Sequence, residues 1–339
     1  DTYCPDEYSA VDSLSAQYGS EKIISAAYSD DFAVLPVVVK TVAAQIAADK
    51  SIKVLIFDRA VVGTAQAIAD IRKTRSDIFI VCIASDENAS SVSSLADLVI
   101  NVNETELGKA AVEQAKEMGA QIFIHYTYNR HMEYEQVARR KDAIEKACKQ
   151  AGIEFYNEAS VDPSSENGTD GAKQYIREDA VRKQKEFTGK KIAYFSTDPV
   201  IQEALIEASL EHKTILPVQV NPSPYVGFPE QLSIDMNDHE NDTKYLLTQI
   251  KQKLQEKGCS GNFATWSVSM PRVMLNSAFE YAVKHINNEW GNKIMGDELI
   301  KIINEAAGGE NIIKTAKYSD SSKKTYDNIF EVSGKTYLF

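Results

Sequence analysis

Cysteine is scarce. Cys4, Cys82, Cys148 and Cys259 stand far apart in 339 residues and form no C-x-x-C pair, which excludes a zinc finger and a thioredoxin-like motif and leaves buried free thiols as their reading. Positive charge is also short, with 37 Lys and Arg against 49 Asp and Glu for a net charge of −12. Nucleic-acid affinity rests largely on Lys and Arg neutralising phosphates, so no nucleic-acid partner is expected for this chain. Long apolar runs are missing too. The longest candidate, Phe32 to Ala48, is interrupted by Pro36, Lys40, Thr41 and Gln45, and a bilayer span needs about 20 apolar residues.

Catalytic signatures are absent as well. A dinucleotide fingerprint needs three glycines after a strand, and Gly63 after KVLIF stands alone. Gly189, Lys190 and Lys191 lack the upstream glycine of a phosphate loop and precede a strand. The chain has no G-x-S-x-G elbow and no H-E-x-x-H pair. No cofactor, no metal and no catalytic residue is therefore expected.

What remains is a regular alternation. At 339 residues the chain suits two lobes of roughly 100–200 residues each. Tyr3 to Tyr18 places Tyr8, Val11, Leu14 and Tyr18 on one helical stripe before Gly19. Then follow the strand Lys22 to Tyr28, a helix from Asp31 to Asp49, the strand Lys53 to Phe57, a helix from Gly63 and the apolar strand Ile78 to Ile83. Ala96 to Val102 is another strand, Glu104 to Met118 a helix, and Lys191 to Phe195 a strand ahead of a helix from Pro199. Ile215 to Val220 reads as a strand weakened by Pro217, Asn221 to Asp235 with Pro222, Pro224 and Pro229 as a stiff loop, and Tyr326 to Phe339 as a hairpin turning at Ser333 and Gly334. Repeated βα units with apolar strands imply α/β lobes with parallel sheets covered on both faces. Such a lobe usually begins with a central strand, so that strand is expected upstream of Asp1.

In open parallel sheets ligands gather where strands end. The richest such turn lies in Gln121 to Arg140, QIFIHYTYNRHMEYEQVARR, where the strand Ile122 to Ile124 gives way to His125, Tyr126, Tyr128, Arg130 and His131 before a helix begins. Arg130 there can fork onto a carboxylate or stack on Tyr126 or Tyr128. Arg139 and Arg140 read as a solvated or salt-bridged helix face. Asp58 and Arg59 follow KVLIF, Ser85 and Asp86 follow IFIVCI, and Asp198 follows KIAYF; helix capping is the competing role for each Ser and Asp.

Two stretches carry a resemblance. KIAYFSTDPVIQEALIEA (Lys191 to Ala208) and LVINVNETELGKAAVEQAKEMG (Leu98 to Gly119) resemble segments of type I periplasmic binding proteins and of LacI-type effector domains. HYTYNRHMEYEQVARR together with NPSPYVGFPEQL is similar to an uncharacterised family of bacterial lipoprotein-like solute-binding proteins, distantly like the basic membrane protein nucleoside receptors. The resemblance implies two doubly wound lobes joined by hinge strands, residues 1–103 with 260–312 and residues 104–259 with 313–339. It implies a ligand clamped between them by Tyr28, Asp30, Asp58, Arg59, Ser85 and Asp86 on one side and Tyr126, Arg130, His131, Asp198, Gln202 and Asn221 on the other.

The function so implied is a solute-binding protein, not an enzyme, that holds a small polar ligand of the nucleoside, sugar or carboxylate class and presents it to an ABC-type permease. The chain starts at Asp1 without Met, so an N-terminal segment is expected to have been removed or omitted; the resemblance implies an extracytoplasmic location and a lipid anchor. The alternative is the ligand-sensing domain of a LacI-type regulator. An enzyme would need His125 or His131 within hydrogen-bond reach of a carboxylate such as Asp198.

Overall fold

The structure is a computed structural model that describes residues 5–27, 35–287 and 294–339. Its elements run α1 (Pro5–Tyr18), α2 (Leu35–Ala48), β1 (Val54–Phe57), α3 (Thr64–Arg72), β2 (Phe79–Ile83), α4 (Ala89–Ser93), β3 (Leu98–Val102) and α5 (Glu104–Glu117). Next come β4 (Ile122–Thr127), α6 (Asn129–Met132), α7 (Glu135–Ala151), β5 (Glu154–Ala159), α8 (Gly168–Glu186), β6 (Ile192–Ser196) and α9 (Gln202–His212). The last are α10 (Phe228–Gln231), α11 (Thr243–Glu256), β7 (Ala264–Trp266), α12 (Met270–Ile286), α13 (Gly296–Ala306), β8 (Ile313–Ser319), β9 (Thr325–Gly334) and β10 (Thr336–Leu338). Both halves are built from parallel βα units, as the alternation implies.

The chain divides into two compact units. One holds residues 1–9, 104–271 and 334–339; the other holds 10–103 and 272–333. In the second, the sheet order is β1-β2-β3-β9-β8, with β1, β2, β3 and β9 parallel. Val39, Ala43 and Ala47 of α2 and Ile68 and Ile71 of α3 pack on one face against Ile80, Cys82 and Val99. On the other, Phe79 meets Tyr281 and His285 of α12.

In the first unit the order is β5-β4-β6, all parallel. Parallel bridges Ala193–Ile215 and Leu216–Phe263 carry the pairing towards β7, which pairs antiparallel with β10. Side chains alternate across a strand. Ile122, Ile124 and Tyr126 therefore join Ala172, Ile176, Leu205 and Leu246 of the helical layer α8, α9 and α11. Phe123 and His125 point the other way, ringed by Phe155 and Phe195. Arg140 of α7 covers Phe195.

Five expectations are corrected. Residues 23–27 form no strand and Ile24 is 60% exposed; a strand needs a hydrogen-bonded neighbour, and none takes up this segment among the described residues. Residues 215–220 make bridges rather than a continuous strand because Pro217 has no N–H to donate. The tail is not a hairpin across Ser333 and Gly334: β9 runs parallel to β3 while β10 pairs with β7. Residues 313–333 thus belong with the first half of the chain, not with 104–259. Tyr8, expected to pack, is 46% exposed, because the inward side of α1 there is taken by Asp6, whose Oδ2 accepts from Ser223 and Ser269. Cys82, Cys148 and Cys259 are buried free thiols; Cys4 lies outside the described residues.

The tail's placement sets a stability test. Ile329 of β9 is 1% exposed, so Ile329→Ala lowers the unfolding free energy by about 2–5 kcal/mol. Tyr337→Ala, at a residue 36% exposed, costs far less, about 0.5 kcal/mol. Denaturant unfolding of the two variants compares them; equal losses contradict β9 as an inner strand.

Candidate functional site

β4 is buried along its whole length, and the chemistry starts where it stops. Tyr128 stays extended, and its carbonyl accepts from the backbone N–H groups of His131 and Met132, folding the next residues into α6. Across the sheet, Asp198 follows β6 and caps the next turn, its Oδ1 accepting from Val200 N at 2.8 Å. The Tyr128 hydroxyl donates to Asp198 Oδ2 in a short, buried hydrogen bond. His131 Nε2 lies 2.8 Å from the same hydroxyl, with the two rings 4.3 Å apart.

Arg130 extends the network. Its Nε and Nη2 each donate to Asp162 at 2.9 Å, a bidentate fork. Nη2 also reaches the Tyr128 oxygen at 3.4 Å, and the guanidinium sits 5.3 Å from the Tyr128 ring centre. Asp162 itself is tied to its loop by Ser164 N and Oγ. Burial pushes the Asp162 carboxyl up, but Arg130 and Ser164 outweigh it and hold it at about 2. Arg130 is raised by the same pairing.

Arg140 is 3% exposed. Its Nη1 donates to Glu104 at 2.6 Å and its Nη2 to the Thr197 carbonyl at 3.1 Å, fixing the residue before Asp198. Gly108 makes this approach of α7 possible: a Cβ there would stand 2.9 Å from the Arg140 carbonyl. Gln202, 1% exposed, accepts from Val220 N at 3.3 Å and so holds the segment leading to Asn221 beside α9.

Two guanidiniums therefore face three carboxylates here, Glu104, Asp162 and Asp198. Burial lowers the His131 imidazole to about 4 against the opposing pull of Asp198, so it is neutral at pH 7. The 3.8 Å approach of His131 Nε2 to Asp198 is accordingly not an ion pair. Five buried polar atoms at these strand ends, Thr127 Oγ1, Thr197 Oγ1, His131 Nδ1, Gln202 Nε2 and Arg140 Nε, have no hydrogen-bond partner among the described residues. An unpaired buried polar atom costs about 1–3 kcal/mol, so each of these five would gain from a partner.

The structure gathers Arg130, His131 and Asp198 around the Tyr128 hydroxyl, while Gln202 is placed by its bond to Val220 N, the residue before Asn221. Tyr126 is elsewhere: fully buried on the α8 face, it donates to Asp179 at 2.9 Å. His125, on the opposite face, bonds Asn157 at 2.8 Å. In the other unit, Asp58 and Arg59 follow β1, and Ser85 and Asp86 follow β2. Their turns are laced together by Ala60 N to Ile83 O and Asp86 N to Ala60 O. Ser85 N donates to Asn101 Oδ1 at 2.9 Å. Arg59 and Ala84 adopt left-handed φ values of 56° and 45°, which cost about 1–2 kcal/mol apiece in non-glycine residues and recur at functional turns. Tyr28 and Asp30 lie outside the described residues. The sequence marks Tyr128 only by its position, the first residue past the strand, and carries no signal that singles out Asp162, Thr127 or Thr197.

The sequence model of the family described as "Protein of unknown function (DUF3798)" matches residues 2–264. An uncharacterised protein of Treponema pallidum (strain Nichols) is 26% identical over 171 residues, 50% of this chain and 79% of that protein. Among solved structures, a candidate transcriptional regulator from Clostridium difficile 630 superposes with a TM-score of 0.77 at 19% identity, covering 98% of this chain and 95% of that one. A periplasmic solute-binding protein of an ABC transporter from Actinobacillus succinogenes 130z, solved with D-allose, gives 0.55 at 12% identity over 85% and 88% of the two chains. Likeness at these identities shows a shared fold, the two-lobed α/β architecture of periplasmic binding proteins and related regulators.

The buried histidines give the fold an acid-sensitive range. Burial also lowers His125 to about 4 from an ordinary 6.5, so the unfolded chain takes up this proton at a higher pH than the folded one. Its stabilising share is whole above pH 6.5 and is lost as pH falls towards 4. His125→Phe, which keeps a ring between Phe155 and Phe195 and releases the exposed Asn157 to water, flattens the fall of Tm between pH 7 and 4.5. An unchanged slope would count against a neutral buried His125.

Proposed function

Since the chain belongs to the DUF3798 family of proteins of unknown function, we propose from its own chemistry that it is a solute-binding protein for a small, neutral, hydroxyl-rich molecule of the sugar or nucleoside class. It holds that molecule at the strand ends around Arg130, His131, Asp198, Gln202 and Asn221 and hands it to a membrane transporter outside the cytoplasm. The observation that carries this reading is the internal neutralisation of the site: Arg130 is forked onto Asp162 and Arg140 is paired with Glu104. A carboxylate or phosphate ligand would meet an excess of negative charge there, whereas hydroxyl groups can both donate to and accept from the unpartnered atoms.

The shared fold with an allose-bound periplasmic protein supports the class of ligand. Among the described residues no helix is long and apolar enough to cross a membrane. Neither histidine has a carboxylate at hydrogen-bond distance: His125 meets an amide and His131 a phenol.

A second reading has its own support in the superposition on the candidate transcriptional regulator. There the same ligand would switch a DNA-binding part instead of loading a transporter. The encoded N-terminus separates the two, a basic helix-turn-helix favouring regulation and an apolar leader ending in cysteine favouring export.

A thermal-shift panel tests the ligand class. Neutral compounds (D-allose, D-galactose, myo-inositol, adenosine) are set against anions (D-galacturonate, succinate, glucose 6-phosphate). At one hundred times Kd a bound ligand adds about 2.7 kcal/mol of stability, so at least one neutral compound raises Tm by several degrees and the anions do not. Shifts from anions alone would overturn the proposal. Asp162→Ala should release Arg130 and admit galacturonate, read by the same shift.

A further inference from the structure

The network around Tyr128 fixes where one particular proton sits. The hydroxyl of Tyr128 has a single hydrogen, and its bond to Asp198 Oδ2, in which the hydroxyl is the donor, uses it. The Tyr128 oxygen can then only accept from its other neighbours. Arg130 Nη2 is a donor by nature. His131 Nε2, 2.8 Å away, must therefore carry its hydrogen and donate it. A neutral imidazole has one protonated nitrogen, so the other, Nδ1, is left as a bare acceptor. Nδ1 is buried and without a hydrogen-bond partner among the described residues.

We propose that His131 is a specificity-determining residue which presents Nδ1 as an acceptor to a hydroxyl of the ligand, its tautomer set by the chain Asp198, Tyr128, His131. This rests on the reading of the site as one for a hydroxyl-rich solute and names the group that does the selecting. The acceptor rejects a carbonyl, ether or carboxylate oxygen in the same position, since two lone pairs facing each other leave both buried acceptors unpaired. It demands an O–H or N–H instead. A deoxy analogue lacking the hydroxyl that meets His131 loses that bond.

The groups facing His131 keep the arrangement steady. Asp198 lies 3.8 Å from Nε2, Tyr134 packs edge-on at 5.8 Å, and Arg130, Arg140 and Asp162 act on the ring through their charges. Burial is the strongest influence and disfavours the charged ring, holding its titration at about 4. Protonation would place a hydrogen on Nδ1 and abolish the acceptor. Ligand affinity is consequently level from pH 8 to about 5 and falls only below that, whereas an ordinary histidine would begin to lose it near 6.5.

The test needs two readouts on the full chain. Long-range proton–nitrogen NMR correlation of histidine-labelled protein without ligand, with the signal assigned by its loss in His131→Gln, reports the tautomer directly. The expected result at pH 7 is a neutral ring protonated at Nε2; an Nδ1–H tautomer or an imidazolium overturns the inference, whatever the protein binds. Titration calorimetry with the tightest binder among D-allose, D-galactose, myo-inositol and adenosine then compares two variants. His131→Gln keeps a donor near the Nε2 position but loses the acceptor, and weakens binding about tenfold or more. His131→Asn can place its carbonyl oxygen near the Nδ1 position and retains more of the affinity. Equal affinity of wild type and His131→Gln would overturn the role of Nδ1 while leaving a sugar-binding function standing. Failure of all four compounds to bind would sink the proposed function, and the tautomer measurement would still decide the proton's place.

Discussion

Asp162 takes both the Nε and Nη2 hydrogens of Arg130, and the proposed ligand class depends on that pairing. A bare guanidinium at this point would make an anion site. Forked onto a carboxylate, it becomes a rigid donor frame beside Tyr128, and the neighbouring Arg140 is occupied in the same way by Glu104 and the Thr197 carbonyl. With both cations engaged, the polar atoms left over are hydroxyls, an imidazole nitrogen, an amide and one guanidinium N–H. In the proposed site such a set would discriminate by the directions of hydrogen bonds more than by charge.

The scaffold explains why these atoms can be left so. β4 is central and wholly buried, its neighbours β5 and β6 run parallel to it, and helices cover both faces. Loops at the ends of such strands are anchored by the sheet as well as by their own contacts. Unpaired polar groups can therefore persist there at a cost the rest of the fold absorbs. Gly108 adds to this by letting α7 come close enough for Arg140 to brace the turn that carries Asp198.

Much of the architecture was legible in the sequence, since apolar runs at strand length alternating with helical spacing report local periodicity faithfully. The failures share a cause: they concern partners far away in the chain. KIISAAY has the composition of a strand, but composition says nothing of whether a neighbour exists to pair with. The Ser333-Gly334 step looks like a hairpin turn, yet β9 pairs with Val99 to Val102, more than two hundred residues earlier. In the proposed site, Arg130, His131 and Asp198 stand just past strand ends, a position that the sequence pattern shows. Tyr126 misled because it is the last-but-one residue inside β4, where alternation turns it towards Asp179, and Tyr128 was undervalued because two positions decide whether a tyrosine belongs to a strand or to the turn beyond it. Asp162 hid in a loop whose Asp, Ser, Asn and Gly residues announce turns and nothing more.

The engagement of both guanidiniums by carboxylates is the point on which the functional reading stands. Native mass spectrometry of gently purified protein, followed by release and identification of any small molecule that travels with it, tests it most directly. A neutral, hydroxyl-rich compound held in one-to-one ratio, and lost from the His131→Gln variant, is the result expected. A carboxylate or phosphate ester bound in that ratio, with Arg130 still paired to Asp162, would contradict it.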